Sequence, residues 1–399
     1  MRVLKTVQSY YPFQDRGGPV VKVRALARSL AHRGHSISVL TADLGLSGRS
    51  GDNLRIENCP FGWRAEEDGV EAIYLPTIGH FRALTINPGV MRFCGALLKR
   101  YDLVHFYGLY DLLGPTVSYF CRRNRIPYVI EPMGMYRPID RSFRLKRVWH
   151  RMLGAPYVRN ADKIIATSEI ERQDLLDEGL PLGKIVIRYN GVDVDRSGMH
   201  GVRGSFRAKW AIPPADKLIS FLSRLIPRKG ADTLIEAFAK ACPQSGTLVI
   251  AGPEGEPGYV GYLKKCAEEN RVEDRVIFTG PVYDAEKVAL YSDSDIFVLA
   301  SRYENFANVV AEAVACDIPV IVSNMCGIHS LVDGRAGIVT SVQRDSIAAA
   351  LQRLLADEAL YARLRAGCRS VTLELTWGTL SGQMENHYSE VLAHSSRVQ

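Results

Sequence analysis

The stretch from residue 296 to residue 323 reads IFVLASRYENFANVVAEAVACDIPVIVS and contains, in order, a strand, a loop, a helix and a second strand. The apolar runs Ile296–Leu299 and Val320–Ser323 have the length and the composition of buried strands. Because parallel strands need a crossover helix, this unit predicts a doubly wound α/β sheet with the loop around Glu304 at the carboxyl end of a strand. The helix is expected to start near Phe306.

The same alternation of short apolar runs and longer helical patterns covers the whole chain of 399 residues. Strands are predicted near Val3–Val7, Ile37–Leu40, Leu103–Phe106, Tyr128–Ile130, Ile164–Thr167 and Ile185–Ile187, and again near Leu218–Leu222, Leu248–Ala251, Val276–Thr279, Ile296–Leu299 and Val320–Ser323. The connection Asn190–Ser205 contains four glycines, which favours a flexible link. We therefore predict two Rossmann-like domains, residues 1–200 and 201–375, with reactants held in a cleft between them. The closing segment 376–399 is predicted to contain a helix.

Composition excludes several classes of protein. Hydrophobic residues make up 47% and charged residues 23% of the chain, which is ordinary for a globular protein. No apolar run approaches the length of a transmembrane helix, and the apolar start of the chain is too short for a signal peptide, so a cytoplasmic location is expected. Eight cysteines without a CxxC pair and nine histidines without HExxH make a disulfide framework or a zinc site unlikely to be the basis of the fold.

The positive charge is concentrated in the first half. The net charge of the chain is +7, and the first 200 residues contribute +9. Residues 137–159 contain seven cations interspersed with apolar side chains such as Trp149. The cations are Arg137, Arg141, Arg144, Lys146, Arg147, Arg151 and Arg159. A basic amphipathic segment can lie on an anionic leaflet, although a solvated charged helix has the same pattern. We predict peripheral association with the inner face of the cytoplasmic membrane and a saccharide or lipid-linked acceptor.

Three motifs could carry chemistry. Gly17 and Gly18 precede a helix, where free backbone N–H groups favour anions. Arg224 and Lys229 follow the first strand of the second half and could supply positive charge to a diphosphate. Glu304 could accept hydrogen bonds from sugar hydroxyls, and the second carboxylate of the same segment could hold a ribose. Taken alone, the glycines also fit a plain turn, the two cations a solvated basic loop, and the glutamates the exposed face of a helix.

Together these motifs resemble family 4 of the retaining glycosyltransferases that use nucleotide sugars, which have the GT-B architecture. Glu304 and Glu312 match the E-x7-E signature of that family, and its diphosphate-binding cations and Gly-Gly loop match the residues above. The resemblance implies that Glu304, Arg224 and Lys229 act at the reacting centre and that the closing helix with Trp377 crosses back onto the first domain. The donor-binding residues that it implies are Gly17, Gly18, Val282, Phe306, Ala307, Asn308, Val309 and Glu312. It further implies a UDP- or GDP-sugar donor, with no metal and no other cofactor.

Some positions depart from the family pattern. Asn305 and Ala307 stand where glycines are usual, and Met133 stands where many members have a histidine before the glycine. A thioether cannot transfer a proton. His105 and Glu131 are therefore candidates for proton handling, and a structural role is the alternative for both.

The expected function is glycosyl transfer in the biosynthesis of a cell-surface polysaccharide or glycolipid. The alternatives are another GT-B enzyme, such as a nucleotide-sugar epimerase or a phosphorylase, and a sugar-binding protein with weak catalysis. Nucleic acid is not an expected partner, because the second half is acidic and carries no recognition motif.

Overall fold

The computed structural model describes residues 1–13, 18–44, 55–81, 84–137, 148–193, 203–242 and 246–398. The chain divides into two compact units, Met1–Asn190 together with Trp377–Gln399, and Gly191–Thr376. Each unit is built around its own sheet.

The first unit contains a nine-stranded sheet with the order β11-β10-β9-β8-β1-β2-β5-β4-β3. Its strands and a separate two-stranded pair, β6 with β7, are β1 (Arg2–Thr6), β2 (Ser36–Ala42), β3 (Ile56–Cys59), β4 (Gly62–Glu67), β5 (Val70–Leu75), β6 (Gly79–Phe81), β7 (Leu84–Ile86), β8 (Leu103–Tyr107), β9 (Tyr128–Glu131), β10 (Lys163–Ala166) and β11 (Ile185–Ile187). The strands from β11 to β5 pair in parallel, whereas β3 and β4 extend the sheet in antiparallel pairing. The six predicted strands of this half are confirmed. β3, β4 and β5 are additions to the sheet, and the pair β6 and β7 was not predicted either.

Helices cover this sheet. They are α1 (Gly18–His32), α2 (Gly89–Leu97), α3 (Leu113–Arg123), α4 (Ala155–Arg159) and α5 (Glu169–Asp177). Helix α1 buries an apolar face that includes Val20, Val23 and Leu30, which recur at helical spacing. It ends before Gly34, whose positive φ of 86° is a backbone conformation that glycine adopts without steric cost.

The first sheet has a hydrophobic core on each face, because successive side chains of a strand point to opposite sides. In β1, Val3 packs with Val23 and Val39 on one face. The next residue, Leu4, packs with Phe93 and Phe106 on the other. Both faces are thus buried, as a doubly wound sheet requires.

The second unit has a six-stranded, fully parallel sheet with the order β14-β13-β12-β15-β16-β17. Its elements are α6 (Ser205–Lys209), β12 (Leu218–Leu222), α7 (Ala231–Ala241), β13 (Thr247–Ala251), α8 (Tyr259–Glu269), β14 (Val276–Gly280), α9 (Asp284–Asp293), β15 (Ile296–Leu299), α10 (Asn308–Ala315), β16 (Val320–Ser323), α11 (His329–Val332), β17 (Gly337–Thr340), α12 (Arg344–Ala356) and α13 (Glu358–Glu374). The five predicted strands are confirmed, and β17 is an addition at the edge of the sheet.

The last helix, α14 (Trp377–Val398), belongs to the first unit. Its apolar face buries Leu380, Met384 and Tyr388. The hydroxyl of Ser29 on α1 lies 2.8 Å from the hydroxyl of Ser381 on α14. The prediction that the closing helix returns to the first domain is therefore confirmed.

None of the helices in the described ranges is both long and apolar enough to cross a membrane.

Candidate active site

The loop between β15 and α10 holds Glu304 in a fixed position. The backbone N–H of Glu304 donates to the carbonyl of Met325 at 2.9 Å, and the N–H of Gly327 donates to the carbonyl of Glu304 at 2.9 Å. The Glu304 carboxylate, 21% exposed, pairs with the ammonium group of Lys229, which is 13% exposed. Two of the predicted catalytic residues are thus in direct contact.

Lys229 and Arg224 lie in the segment that follows β12, the strand beside β15 in the sheet. Lys229 ends a short 3-10 helix, Pro227–Lys229. The side chain of Arg224 is exposed. Since the carboxyl ends of neighbouring parallel strands meet at one edge of a sheet, both predicted cations arise at the edge where Glu304 lies.

A glycine outside the predicted site makes room for Arg224. The N–H of Gly255 donates to the carbonyl of Leu225 at 3.0 Å, so the loop after β13 runs alongside the segment after β12. A Cβ atom on Gly255 would lie 2.4 Å from Cγ of Arg224. Only glycine permits this close approach.

Glu312 lies on α10 and has two partners that the sequence analysis did not identify. The ammonium of Lys287 lies 2.9 Å from one carboxylate oxygen, and the hydroxyl of Tyr291 donates to the other at 3.0 Å. Both partners are on α9. Their spacing of four residues, which places them on one face of a helix, was the available signal.

The start of α10 differs from the prediction. The helix begins at Asn308 rather than near Phe306, because Ala307 has a φ of +81° and therefore cannot continue a right-handed helix. Glycine is usual at this position in the family that the motifs resemble. The residue type therefore departs from that family, but the backbone has the left-handed conformation that a glycine would favour. The side chains of Phe306 and Ala307 are buried. A donor at this loop would therefore meet their backbone groups, together with those of Asn308 and Val309.

The remaining predicted donor residues are placed as follows. Val282 is buried between β14 and α9, next to the exposed Tyr283. Gly18 is the first residue of α1, whereas Gly17 lies outside the described residues.

His105 and Glu131, the two candidates for proton handling, lie inside the first unit and are both fully buried. Glu131 pairs with the ammonium of Lys22 and, at 2.6 Å, with the guanidinium of Arg188. Nε2 of His105 lies 3.9 Å from the same carboxylate. Lys5 is also fully buried and donates to the hydroxyl of Tyr107, which lies beside His105. We call these residues the buried ionic cluster: Lys5, Lys22, His105, Glu131 and Arg188.

The contacts of the buried ionic cluster support the structural alternative for both candidates. Nδ1 of His105 lies 2.6 Å from the hydroxyl of Tyr388 on α14 and 3.1 Å from that of Tyr107. The ring thus joins the returning helix to the sheet. Sequence reasoning missed Lys5 and Arg188, although a lysine inside an apolar strand was a visible signal.

The buried ionic cluster also makes stability depend on pH. Burial, together with the charges of Lys5, Arg188 and Lys22, holds the pKa of His105 well below its usual value. At a pH below about 6.5 the unfolded chain binds a proton at His105 that the folded chain does not, so the free energy of unfolding falls by up to about 1.4 kcal/mol per pH unit.

Urea denaturation at pH 7.5 and pH 5.5 measures this loss. We expect a smaller loss in His105→Gln, and an unchanged one in His32→Gln, whose side chain is exposed. Burial also lowers the pKa of His150 and His387, so part of the loss will persist in His105→Gln. An equal pH dependence in wild type and His105→Gln would contradict the assignment.

The predicted membrane segment is only partly described. Arg141, Arg144, Lys146 and Arg147 lie outside the described residues. Trp149 donates its indole N–H to the carbonyl of Leu109 at 3.0 Å. Arg151 is exposed beside Met152, whose side chain is 69% exposed.

Two family descriptions match the chain. "Glycosyl transferase 4-like domain" matches residues 17–191, and "Glycosyl transferases group 1" matches residues 202–370. Together with the fold, these matches define the chain as a glycosyltransferase of the GT-B architecture. It belongs to the family 4 glycosyltransferases.

Individual relatives agree with this assignment. The D-inositol 3-phosphate glycosyltransferase of Xylanimonas cellulosilytica is 28% identical, over 94% of this chain and 92% of the relative. The mannosylfructose-phosphate synthase of Agrobacterium fabrum is 25% identical, over 93% and 86%.

Solved structures share the fold. HepE of Anabaena, in complex with UDP, has a TM-score of 0.76 at 20% identity and covers 98% of this chain and 100% of its own. The sucrose-phosphate synthase of Thermosynechococcus elongatus has a TM-score of 0.71 at 21% identity, over 99% and 100%.

Proposed function

We propose that the chain transfers a glycosyl group from a UDP- or GDP-sugar to a saccharide or lipid-linked acceptor, with retention of the anomeric configuration. The observation that carries this proposal is the contact between Lys229 and Glu304 at the carboxyl ends of two neighbouring strands. A cation for a diphosphate and a carboxylate for sugar hydroxyls lie there side by side. The UDP bound to HepE, a protein of the same fold, supports the choice of donor.

Positive charge from Arg224 and Lys229 stabilises the leaving diphosphate. Negative charge builds on the phosphate oxygens as the bond to the sugar breaks, and preorganised cations lower that barrier electrostatically. An ammonium group has three N–H donors. Lys229 can therefore keep its contact with Glu304 and still donate to phosphate oxygens, so no divalent cation is needed for this task.

The two glutamates hold the two hydroxyl-bearing parts of the donor. Each carboxylate oxygen has two lone pairs. In Glu312 one oxygen accepts from Lys287 and the other from Tyr291. Each oxygen therefore keeps one lone pair that can accept a hydrogen bond from the ribose diol. Glu304 accepts from hydroxyls of the transferred sugar, and the backbone between Phe306 and Val309 donates to phosphate or sugar oxygens.

Retention follows from attack on the face that the diphosphate leaves. The bond from the anomeric carbon to the phosphate oxygen breaks and the bond to the acceptor oxygen forms, while the acceptor proton passes to the departing phosphate. Glu304 is not a nucleophile in this scheme. The anomeric configuration of the product, measured by NMR, tests it, and an inverted product would contradict it.

Binding of the donor is tested by thermal shift with UDP, GDP and ADP and then with their sugars, since a ligand of the folded state raises the melting temperature. We expect stabilisation by UDP or GDP and turnover of the matching sugar, undiminished by EDTA. Stabilisation by a nucleotide, with neither turnover nor slow hydrolysis of its sugar, would instead indicate a sugar-binding protein.

Gly255→Ala is expected to weaken binding of the nucleoside diphosphate by about tenfold or more, because the new Cβ displaces the stem of Arg224 and so weakens a charge-assisted hydrogen bond. Calorimetric titration measures the affinity. Gly261→Ala on α8, where a Cβ meets open space, is the matched control. Equal affinity in both variants would show that Arg224 does not bind the diphosphate.

The acceptor side is proposed to meet an anionic membrane surface. The exposed apolar side chains Val148, Met152 and Leu153 lie beside Arg151 in the first unit. Apolar and cationic groups together favour binding to an anionic leaflet, because the apolar side chains enter the interface while the cations pair with the headgroups. A lipid-linked acceptor in polysaccharide or glycolipid synthesis would be presented at such a surface.

Flotation with liposomes tests this part of the proposal. We expect binding to vesicles that contain anionic lipid, loss of binding at high salt, and weaker binding of Met152→Glu. Leu182→Glu, at an apolar position of the same unit that is 61% exposed, is the control. Binding that is absent, or insensitive to salt and to Met152→Glu, would overturn it.

A further inference from the structure

The two halves of the candidate active site sit on different loops, and their relative position decides whether Lys229 and Glu304 act on one donor. The Lys229 segment passes directly against the end of β15: a Cβ on Gly230 would lie 2.2 Å from the carbonyl oxygen of Ala300. The backbone N–H of Arg302 donates to the carbonyl of Arg228 at 2.8 Å. Arg302 therefore lies on the Glu304 loop while being bonded to the Lys229 segment.

The guanidinium of Arg302 contacts both sides of that segment. One terminal nitrogen donates to the carbonyl of Pro227, two residues before Lys229. The other donates to the carboxylate of Asp232 at 2.9 Å and to the hydroxyl of Thr233 at 3.1 Å, just beyond Lys229. The side chain thus spans the turn that presents the ammonium group.

A planar guanidinium with donors in a fixed fork suits this bridge better than any other side chain. Asp232 is only 15% exposed, which limits competition from water. The hydrogen bond that Arg302 donates to the Asp232 carboxylate raises the pKa of Arg302 above its usual value, so the bridge stays charged.

We propose that Arg302 is a positioning residue that sets the Lys229 ammonium relative to the Glu304 carboxylate. The inference rests on the proposed function of Lys229 and Glu304. The Arg302 side chain is itself 43% exposed, and ion pairs of that exposure contribute little to stability. Its effect is therefore on geometry, and misplacement of a reacting group by about 1 Å can cost about 100-fold in rate.

The first test compares Arg302→Met with Arg335→Met. Arg335, whose side chain is 39% exposed, pairs with Glu374 at 2.6 Å in the same unit, so its loss removes the ion pair of a similarly exposed arginine. We expect kcat of Arg302→Met to fall by about 10- to 100-fold, with a smaller change in the donor KM and a melting temperature equal to that of the control. Arg302→Lys should stay impaired, because an ammonium lacks the fixed fork in which one nitrogen donates to Pro227 and the other to Asp232. Full activity in Arg302→Met would overturn the inference.

A double-mutant cycle shows whether Arg302 acts through Lys229. If it does, adding Arg302→Met to Lys229→Met costs less than about twofold in kcat, since coupled positions are not additive. Effects that multiply would contradict the proposal.

Hydrogen exchange of the backbone amides of residues 228–230, measured without a nucleotide sugar, provides a test that does not depend on activity. The amides of Lys229 and Gly230 donate to the carbonyls of Ile226 and Pro227 at 2.9 and 3.2 Å. We expect these amides to exchange at least about tenfold faster in Arg302→Met than in wild type, and at the wild-type rate in Arg335→Met. Unchanged exchange would overturn the role of Arg302 even if transfer were never observed, whereas inactive wild type with the expected exchange would count against the proposed function alone.

Discussion

Replacing Lys229 with methionine is expected to lower the turnover number for sugar transfer by about 100- to 1000-fold, which corresponds to roughly 2.7–4 kcal/mol of lost transition-state stabilisation. Methionine keeps most of the volume but removes the ammonium that contacts Glu304 and would contact the diphosphate. The Glu304 carboxylate then loses its counter-charge beside an anionic leaving group, so both effects act in the same direction.

Initial rates at saturating donor measure this loss. Lys240→Met is the control, because Lys240 forms an exposed ion pair with Asp345 at 3.1 Å in the same unit. A Lys229→Met enzyme within about threefold of the control would show that the leaving diphosphate is stabilised elsewhere.

Glu131→Gln is expected to destabilise the first unit by about 3–5 kcal/mol, because it leaves Lys22 and Arg188 buried without their carboxylate partner. For a unit of this size the melting temperature should fall by roughly 6–20 °C. The control Glu57→Gln removes a carboxylate from exposed ion pairs and should change stability by at most about 0.5 kcal/mol.

The same variant decides between the two roles considered for Glu131. A structural carboxylate lowers the melting temperature when it is neutralised. A proton carrier would leave the melting temperature near that of wild type and reduce only the turnover number. The second outcome would return Glu131 to the reacting centre.

Buried parallel strands were predictable because they combine a continuous apolar run with a following helix. β12, β13 and β15 are each fully buried and were predicted within a residue of their bounds. The face of α14 was also visible, since Leu380, Met384 and Tyr388 recur at helical spacing.

Three of the strands that escaped prediction, β3, β4 and β17, lack that pattern. β5 is buried at five of its six positions, but the next element along the chain is β6 and not a helix. β3 has no buried residue and β4 has one, and both strands are short or polar, as in Ile56–Cys59. β17 is a four-residue edge strand that begins with glycine. Such strands are specified by the sheet they join rather than by their own sequence.

At the site, the residue types were predictable and their arrangement was not. The glutamates and cations follow strands, where parallel topology gathers side chains. The bridge made by Arg302 depends on contacts between loops of different strands. The left-handed backbone at Ala307 is not indicated by the residue type, since alanine rarely adopts a positive φ. The burial of His105 and Glu131 depends on cations at Lys22 and Arg188 that are distant in sequence.

In our proposal this chain binds a nucleotide sugar at the edge of the second sheet. A crystal structure with a non-transferable UDP- or GDP-sugar analogue tests it most directly. We expect the diphosphate within hydrogen-bond distance of Arg224 and Lys229, the sugar hydroxyls on Glu304 and the ribose on Glu312. An analogue bound with its diphosphate away from both cations, or its sugar away from Glu304, would contradict it.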